Sequence, residues 1–170
     1  MTDSYGISTP LDLNVTLNKS MSPTTDEDRV KMNNVPYLAR VGSLMYASLE
    51  TCPNITFATN KLSQFNLNPG LPHWTALQCV LKYLKQMKNY PLHLGGITTP
   101  ILTGFTDSDY AGCTDTRWST SGYIFTLGHG TISWSSKCQL IVTTSSCEAE
   151  YVASCQGGNV AVQLTGNTWS

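Results

Sequence analysis

Charge is what this sequence has least of. Asp, Glu, Lys and Arg make up 12% of its 170 residues, about half the usual share for a soluble domain. The net charge is −1, with a pI near 6.2. That balance lacks the basic excess by which nucleic-acid binders usually show themselves, so any such binding has to come from a local patch. No apolar run approaches the ~18 residues of a membrane span, and no charged-then-apolar leader opens the chain. A soluble intracellular protein is expected, cytoplasmic or nuclear, neither secreted nor membrane-bound. The six cysteines, Cys52, Cys79, Cys113, Cys138, Cys147 and Cys155, include no CxxC pair and no His at zinc-ligand spacing, so free thiols are expected rather than a zinc site or a disulfide framework. One further absence is positional: no Asp or Glu follows Glu150.

What is present is enough to fold. Apolar residues reach 41%, and the length suits one domain or two small pieces. Residues 1–34 are rich in Ser, Thr, Pro, Asn and Asp without periodicity, ending in the acidic patch Asp26, Glu27, Asp28. They read as an irregular, largely extended lead-in.

From Pro36 the pattern changes. Tyr37, Leu38, Val41, Leu44, Met45 and Leu49 recur at three- and four-residue steps, the stripe of an amphipathic helix. A second helix is expected from Pro53, with Ile55, Ala58, Leu62 and Phe65 on one face, closed by Asn68, Pro69 and Gly70. A third is expected from Pro72 to Lys88, with Trp74, Leu77, Leu81 and Leu84 inward. These stripes read as core rather than ligand boxes. The one cationic cluster, Lys82, Lys85 and Lys88, falls on a single face of that third helix. It is either a solvated face or a stripe that touches phosphates.

After Gly95 and Gly96 the period drops towards two. Ile101–Thr106, Gly122–Leu127 and Thr131–Ser135 are β-branched and aromatic runs, read as three antiparallel strands. Gly128, His129 and Gly130 make a plausible hairpin turn. A helix is expected from Glu148 to Leu164, each of Gly157 and Gly158 costing it about 1 kcal/mol against Ala. The fold class is therefore α+β, with segments 1–34, 35–95 and 100–170.

Two acidic pairs stand out by position: Asp107 and Asp109 at a strand end, and Glu148 and Glu150 in the first turn of the last helix. One carboxylate from each element could converge and hold a hard dication such as magnesium. Two such ions together could hydrolyse a phosphodiester. Taken singly, the first pair also reads as a strand-end turn and the second as charge favoured by the helix dipole.

The order of motifs carries more. Thr106-Asp107-Ser108-Asp109-Tyr110-Ala111-Gly112, Ser119-Thr120-Ser121-Gly122-Tyr123, Ile132-Ser133-Trp134-Ser135-Ser136-Lys137 and Ser145-Ser146-Cys147-Glu148-Ala149-Glu150-Tyr151 together closely resemble the ribonuclease H domain of copia-type retrotransposon Pol polyproteins. Upstream, Val35-Pro36-Tyr37, Val41-Gly42-Ser43-Leu44-Met45-Tyr46, His73-Trp74 and Leu81-Lys82-Tyr83-Leu84-Lys85 resemble the segment joining reverse transcriptase to that domain. The resemblance runs to about residue 155. It implies a helical connection followed by a truncated ribonuclease H-like fold of three antiparallel strands and a helix. It also implies an RNA/DNA hybrid as partner, the rest of the polyprotein upstream, and two Mg2+ ions as cofactors.

By the same resemblance Asp107 and Glu150 are the catalytic and metal-ligating carboxylates, and Asp109 and Glu148 are neighbours in the motif. The family's site uses two further acidic residues beyond these, and an isolated chain without them is expected to bind magnesium weakly, to be inactive alone, and to leave a sheet edge uncovered. Cys52 and Asn54 stand where Arg and Asp are usual, Trp118 where a basic residue is usual, and Cys147 at a Thr-like position. The three changes from Arg or Asp are single-transition changes. They suggest a decayed genomic copy whose residues 164–170 lie past a frameshift or splice error. The alternative function is a non-catalytic nucleic-acid-binding or structural remnant.

Overall fold

The computed structural model describes residues 8–12, 15–94, 101–128 and 130–166. Gly95 and Gly96, His129 of the expected turn, and the tail from Asn167 lie outside the described residues. The chain forms two compact units, Met1–Pro91 and Leu92–Ser170.

The first unit is helical. A short 3-10 turn, Lys19–Met21, is capped by Asn18, whose side chain accepts from the Ser20 amide at 3.1 Å. The lead-in is not wholly irregular, because α1 spans Asp26–Asn33. The Thr25 hydroxyl caps it by accepting from Asp28 N at 3.3 Å, and three acidic residues fill its first turn, where the helix dipole favours negative charge. Asp28 bonds Lys31 at 3.1 Å and accepts from Thr25 at 2.9 Å, and these contacts hold its carboxyl below the ordinary value.

The three helices expected between Pro36 and Lys88 are present: α2 Tyr37–Glu50, α3 Thr56–Ser63 entered through a 3-10 turn at Pro53–Ile55, and α4 Leu71–Met87. Proline near each start removes an amide that would otherwise lack a partner. Their shared core comprises Tyr37, Val41, Leu44, Ile55, Ala58, Leu62, Phe65, Leu77, Val80 and Tyr83, with Leu17 of the lead-in. The buried Tyr37 hydroxyl donates to Leu62 O at 2.9 Å, and burial pushes its phenol upward.

The inward face of α4 differs from the expected one. His73, Leu77, Val80 and Tyr83 are buried, while Trp74, Leu81 and Leu84 pack only partly against the core. His73 is polar in type yet fully buried, because both ring nitrogens are used: Nδ1 accepts from Gly70 N at 2.9 Å and Nε2 meets Asn18 O at 3.1 Å. Its ring also stacks on Phe65, with centroids 4.0 Å apart.

The second unit is a three-stranded antiparallel meander followed by a helix. Strands β1 Leu102–Asp109, β2 Thr120–Leu127 and β3 Gly130–Cys138 lie in the order β1-β2-β3. They reach beyond the apolar runs at most of their ends, because Ser, Thr and Lys extend the ladders. Asp107 pairs with Gly122 and Phe105 with Ile124, and the β2–β3 register shifts between Phe125 and Thr126. Helix α5, Ser146–Thr165, ends at Gly166 in the left-handed conformation with φ 72°.

Helix α5 lies against β1 and β2 through small residues. Ala149, Ala153 and Gly157 are buried, and a β-carbon at Gly157 would overlap Thr106 Cγ2. Gly157 is therefore a close-approach residue, whereas Gly158 faces open space.

Candidate functional site

The carboxylates expected to act together sit on β1 and α5, and these two elements touch. Thr106 Oγ1 lies 3.5 Å from Ser154 Oγ. Thr106 precedes Asp107 on the strand, and Ser154 follows Glu150 by one helical turn, so both acidic positions border this contact. Neighbouring strand residues point to opposite faces. Thr106 faces the helix, so Asp107 leaves that side and shares the other face with Phe105, Gly122 and Ser136. Among the described residues no further strand pairs with β1, and Asp107 lies on the face of that strand away from α5, the helix that carries Glu150.

Asp107 and Glu150 are both exposed. Among the described residues neither carboxylate makes a hydrogen bond or ion pair with a protein group, and no group of three or more His, Cys, Asp or Glu side chains could hold a metal ion.

The other two acidic residues are engaged locally. Asp109 folds towards the β1–β2 loop, where its carboxylate occupies the space a β-carbon on Gly112 would need. Glu148 turns back on its own helix start. Its Oε2 accepts from the Thr144 amide at 2.6 Å and the Thr144 hydroxyl at 2.9 Å, and these bonds, the backbone one foremost, hold its carboxyl below the ordinary value. The Ser145 hydroxyl accepts from Glu148 N at 3.1 Å and completes the cap.

Under the first turn of α5 lies a buried polar layer that the sequence does not announce. Gln139, fully buried, donates from Nε2 to Ser121 Oγ and to Ala149 O, both at 2.9 Å. Ser119 Oγ pairs with Thr143 Oγ1 at 2.9 Å and accepts from Ala111 N at 3.1 Å. Single polar residues in loops and strand ends carry no periodicity, so only their burial identifies them. Lys82 and Lys85 occupy the last turns of α4 and Lys88 its C-cap, all exposed, where the dipole also favours cations. Among the described residues no helix is long and apolar enough to cross a membrane.

Comparison with known proteins gives a consistent set of relatives. The chain is 44% identical over 164 residues, 96% of its length, to the retrovirus-related Pol polyprotein from transposon TNT 1-94 of Nicotiana tabacum. It is 46% identical over 115 residues, 68% of its length, to the retrovirus-related Pol polyprotein from transposon RE2 of Arabidopsis thaliana. It spans 12% of the first polyprotein and 8% of the second. It is also 44% identical over 137 residues to secreted RxLR effector protein 161 of Plasmopara viticola, covering 81% of this chain and 96% of that protein. No family model and no solved structure matches the chain.

Proposed function

Because the chain belongs to the Pol polyproteins of copia-type retrotransposons, we propose that its sheet unit is the opening part of a ribonuclease H domain, with Asp107 and Glu150 as its metal-ligating carboxylates and an RNA/DNA hybrid as its ligand. The observation that carries the reading is the order of elements. A strand bearing Asp107 and a two-strand return come first, and then a helix laid on that strand with Glu150 one turn from the contact.

Magnesium would supply the chemistry by activating water and stabilising the leaving oxygen. Asp107 and Glu150 offer the hard oxygen donors that such an ion takes. In number they fit one weakly held ion rather than a two-ion centre, and no Asp or Glu follows Glu150 in the 170 residues. By itself, then, the chain binds a hybrid and leaves it uncut. The role of Lys82, Lys85 and Lys88 in this reading is to contact phosphates, which makes binding fall as salt rises.

The test is a labelled RNA/DNA hybrid in millimolar magnesium or manganese, beside a salt-titrated binding assay. Binding without cleavage, weakened by replacing the three lysines with alanine, is the expected result. Cleavage abolished by Asp107→Asn would show that two carboxylates suffice or that a second copy completes the site. Absence of any salt-dependent binding would favour the purely structural remnant.

A further inference from the structure

We infer that Gln139 is a positioning residue for Glu150: it fixes the first turn of α5 to the sheet at the level of the acidic pair. The inference rests on the reading of Glu150 as a metal-ligating carboxylate.

The amide orientation is set by chemistry. Ala149 O can only accept, so the group facing it must be the Gln139 nitrogen. The second hydrogen of that nitrogen goes to Ser121 Oγ on β2. The backbone of Gln139 is held as well, its amide donating to Ser119 O at 2.9 Å. One fully buried side chain thus joins β2 to the carbonyl of the residue immediately before Glu150. First-turn carbonyls of a helix accept bonds inside the helix, so an added donor from the sheet fixes the turn's rotation as well as its height.

Ser121 lies opposite Ser108 in the β1–β2 register, and Ser108 sits between Asp107 and Asp109. The clamp therefore grips the sheet beside the strand segment that carries the first carboxylate. Gln139 Oε1 and Ser108 Oγ are both buried without a hydrogen-bond partner among the described residues, so this layer has room in its bonding for an ordered water that would extend the clamp to β1. Groups that orient a metal ligand affect affinity without touching the ion.

The experiment uses the full chain with Mn2+ as the probe, its binding followed by loss of the free-ion paramagnetic resonance signal. Amide hydrogen exchange along α5 is measured in parallel. Gln139→Met should weaken Mn2+ binding about tenfold and speed exchange at Ala149–Ala153 relative to Asn159–Thr165. Ser121→Ala, which removes only one anchor, should give the same pattern at smaller amplitude and covers the case in which Gln139→Met does not fold. Phe125→Leu, which loosens the sheet elsewhere, should leave Mn2+ binding within about twofold of the parent. If Phe125→Leu weakens binding as much as Gln139→Met, or if Gln139→Met leaves both readouts at parental values, the positioning role is overturned. If the parent shows no Mn2+ binding that Glu150→Gln removes, the metal reading fails, and the exchange pattern alone decides whether Gln139 fixes the turn.

Discussion

The side chains most fully removed from water in the helical unit are Tyr37, Leu44, Ile55, Leu62, Leu77, Val41 and Val80, with His73 and Thr59 among them. In the sheet unit they are Gln139 and Ser119, and Phe125 is the one large apolar side chain among the buried described residues there. Large apolar groups instead stay outside, as with Phe105 at 61% exposure and Leu140 at 79%. The helical unit is held by transfer of apolar surface and dense packing, which is non-directional. The sheet unit is held by matched hydrogen bonds and by the close approach that small residues allow, both of which depend on geometry. A volume change should therefore hurt the first unit most, and a misplaced atom the second.

The largest expected effect is in the helical core. Leu77→Ala removes a fully buried side chain and should cost about 2–5 kcal/mol, read as a shift in the denaturation midpoint of residues 36–88. A loss below about 1 kcal/mol would show that this core collapses around the gap.

A glycine pair tests the sheet unit. Gly157→Ala puts a methyl onto Thr106 Cγ2 and should destabilise by about 1–3 kcal/mol. Gly158→Ala, with open space around it, should stabilise by about 0.5–1 kcal/mol. Equal effects of the two substitutions in denaturant titrations would remove the close-approach account of α5.

Smaller still is Tyr37→Phe, which deletes the donor to Leu62 O. It should cost about 1 kcal/mol, and no loss would mean that the backbone amides of Gln64 and Phe65, which also donate to Leu62 O, suffice for that carbonyl. The smallest effect concerns Glu148. Its folded-state carboxyl is held below the ordinary value by Thr144, so its capping contribution is present above the unfolded glutamate value. It is lost as pH falls through the lower folded value. Exchange at the start of α5 should accelerate on acidification in that window, and Glu148→Gln should abolish the pH dependence there.

Much of this architecture was legible in the residues because periodicity is a backbone property. The stripes from Pro36, Pro53 and Pro72 identified α2, α3 and α4, and the shift to alternation identified the strands. Legibility failed where hydrophobicity and burial part company. The inward face of α4 was misassigned because His73 counts as polar until both nitrogens find partners. Helix α1 lacks an apolar stripe, so its sign was the cap, Thr25 with Asp28 three residues on. Gly157 read as a defect because the close neighbour across from it, Thr106, is 51 residues away in sequence. At the candidate site, the motif singled out Asp107 and Glu150, and the structure brings their elements into contact. Gln139 had no local signature, since what marks it is the layer it is buried in.

Strand β1, Leu102–Asp109, bonds to β2 on one side, and among the described residues no strand pairs with its other side. A strand of that length without Pro or Lys is a template on which other chains can stack. The charges standing against that stacking within β1 are Asp107 and Asp109. Asp107 thus stands as a charge against self-association along this strand. Its neutralisation in Asp107→Asn should raise light scattering at high concentration, and any other change measured in that variant has to be read beside its state of aggregation.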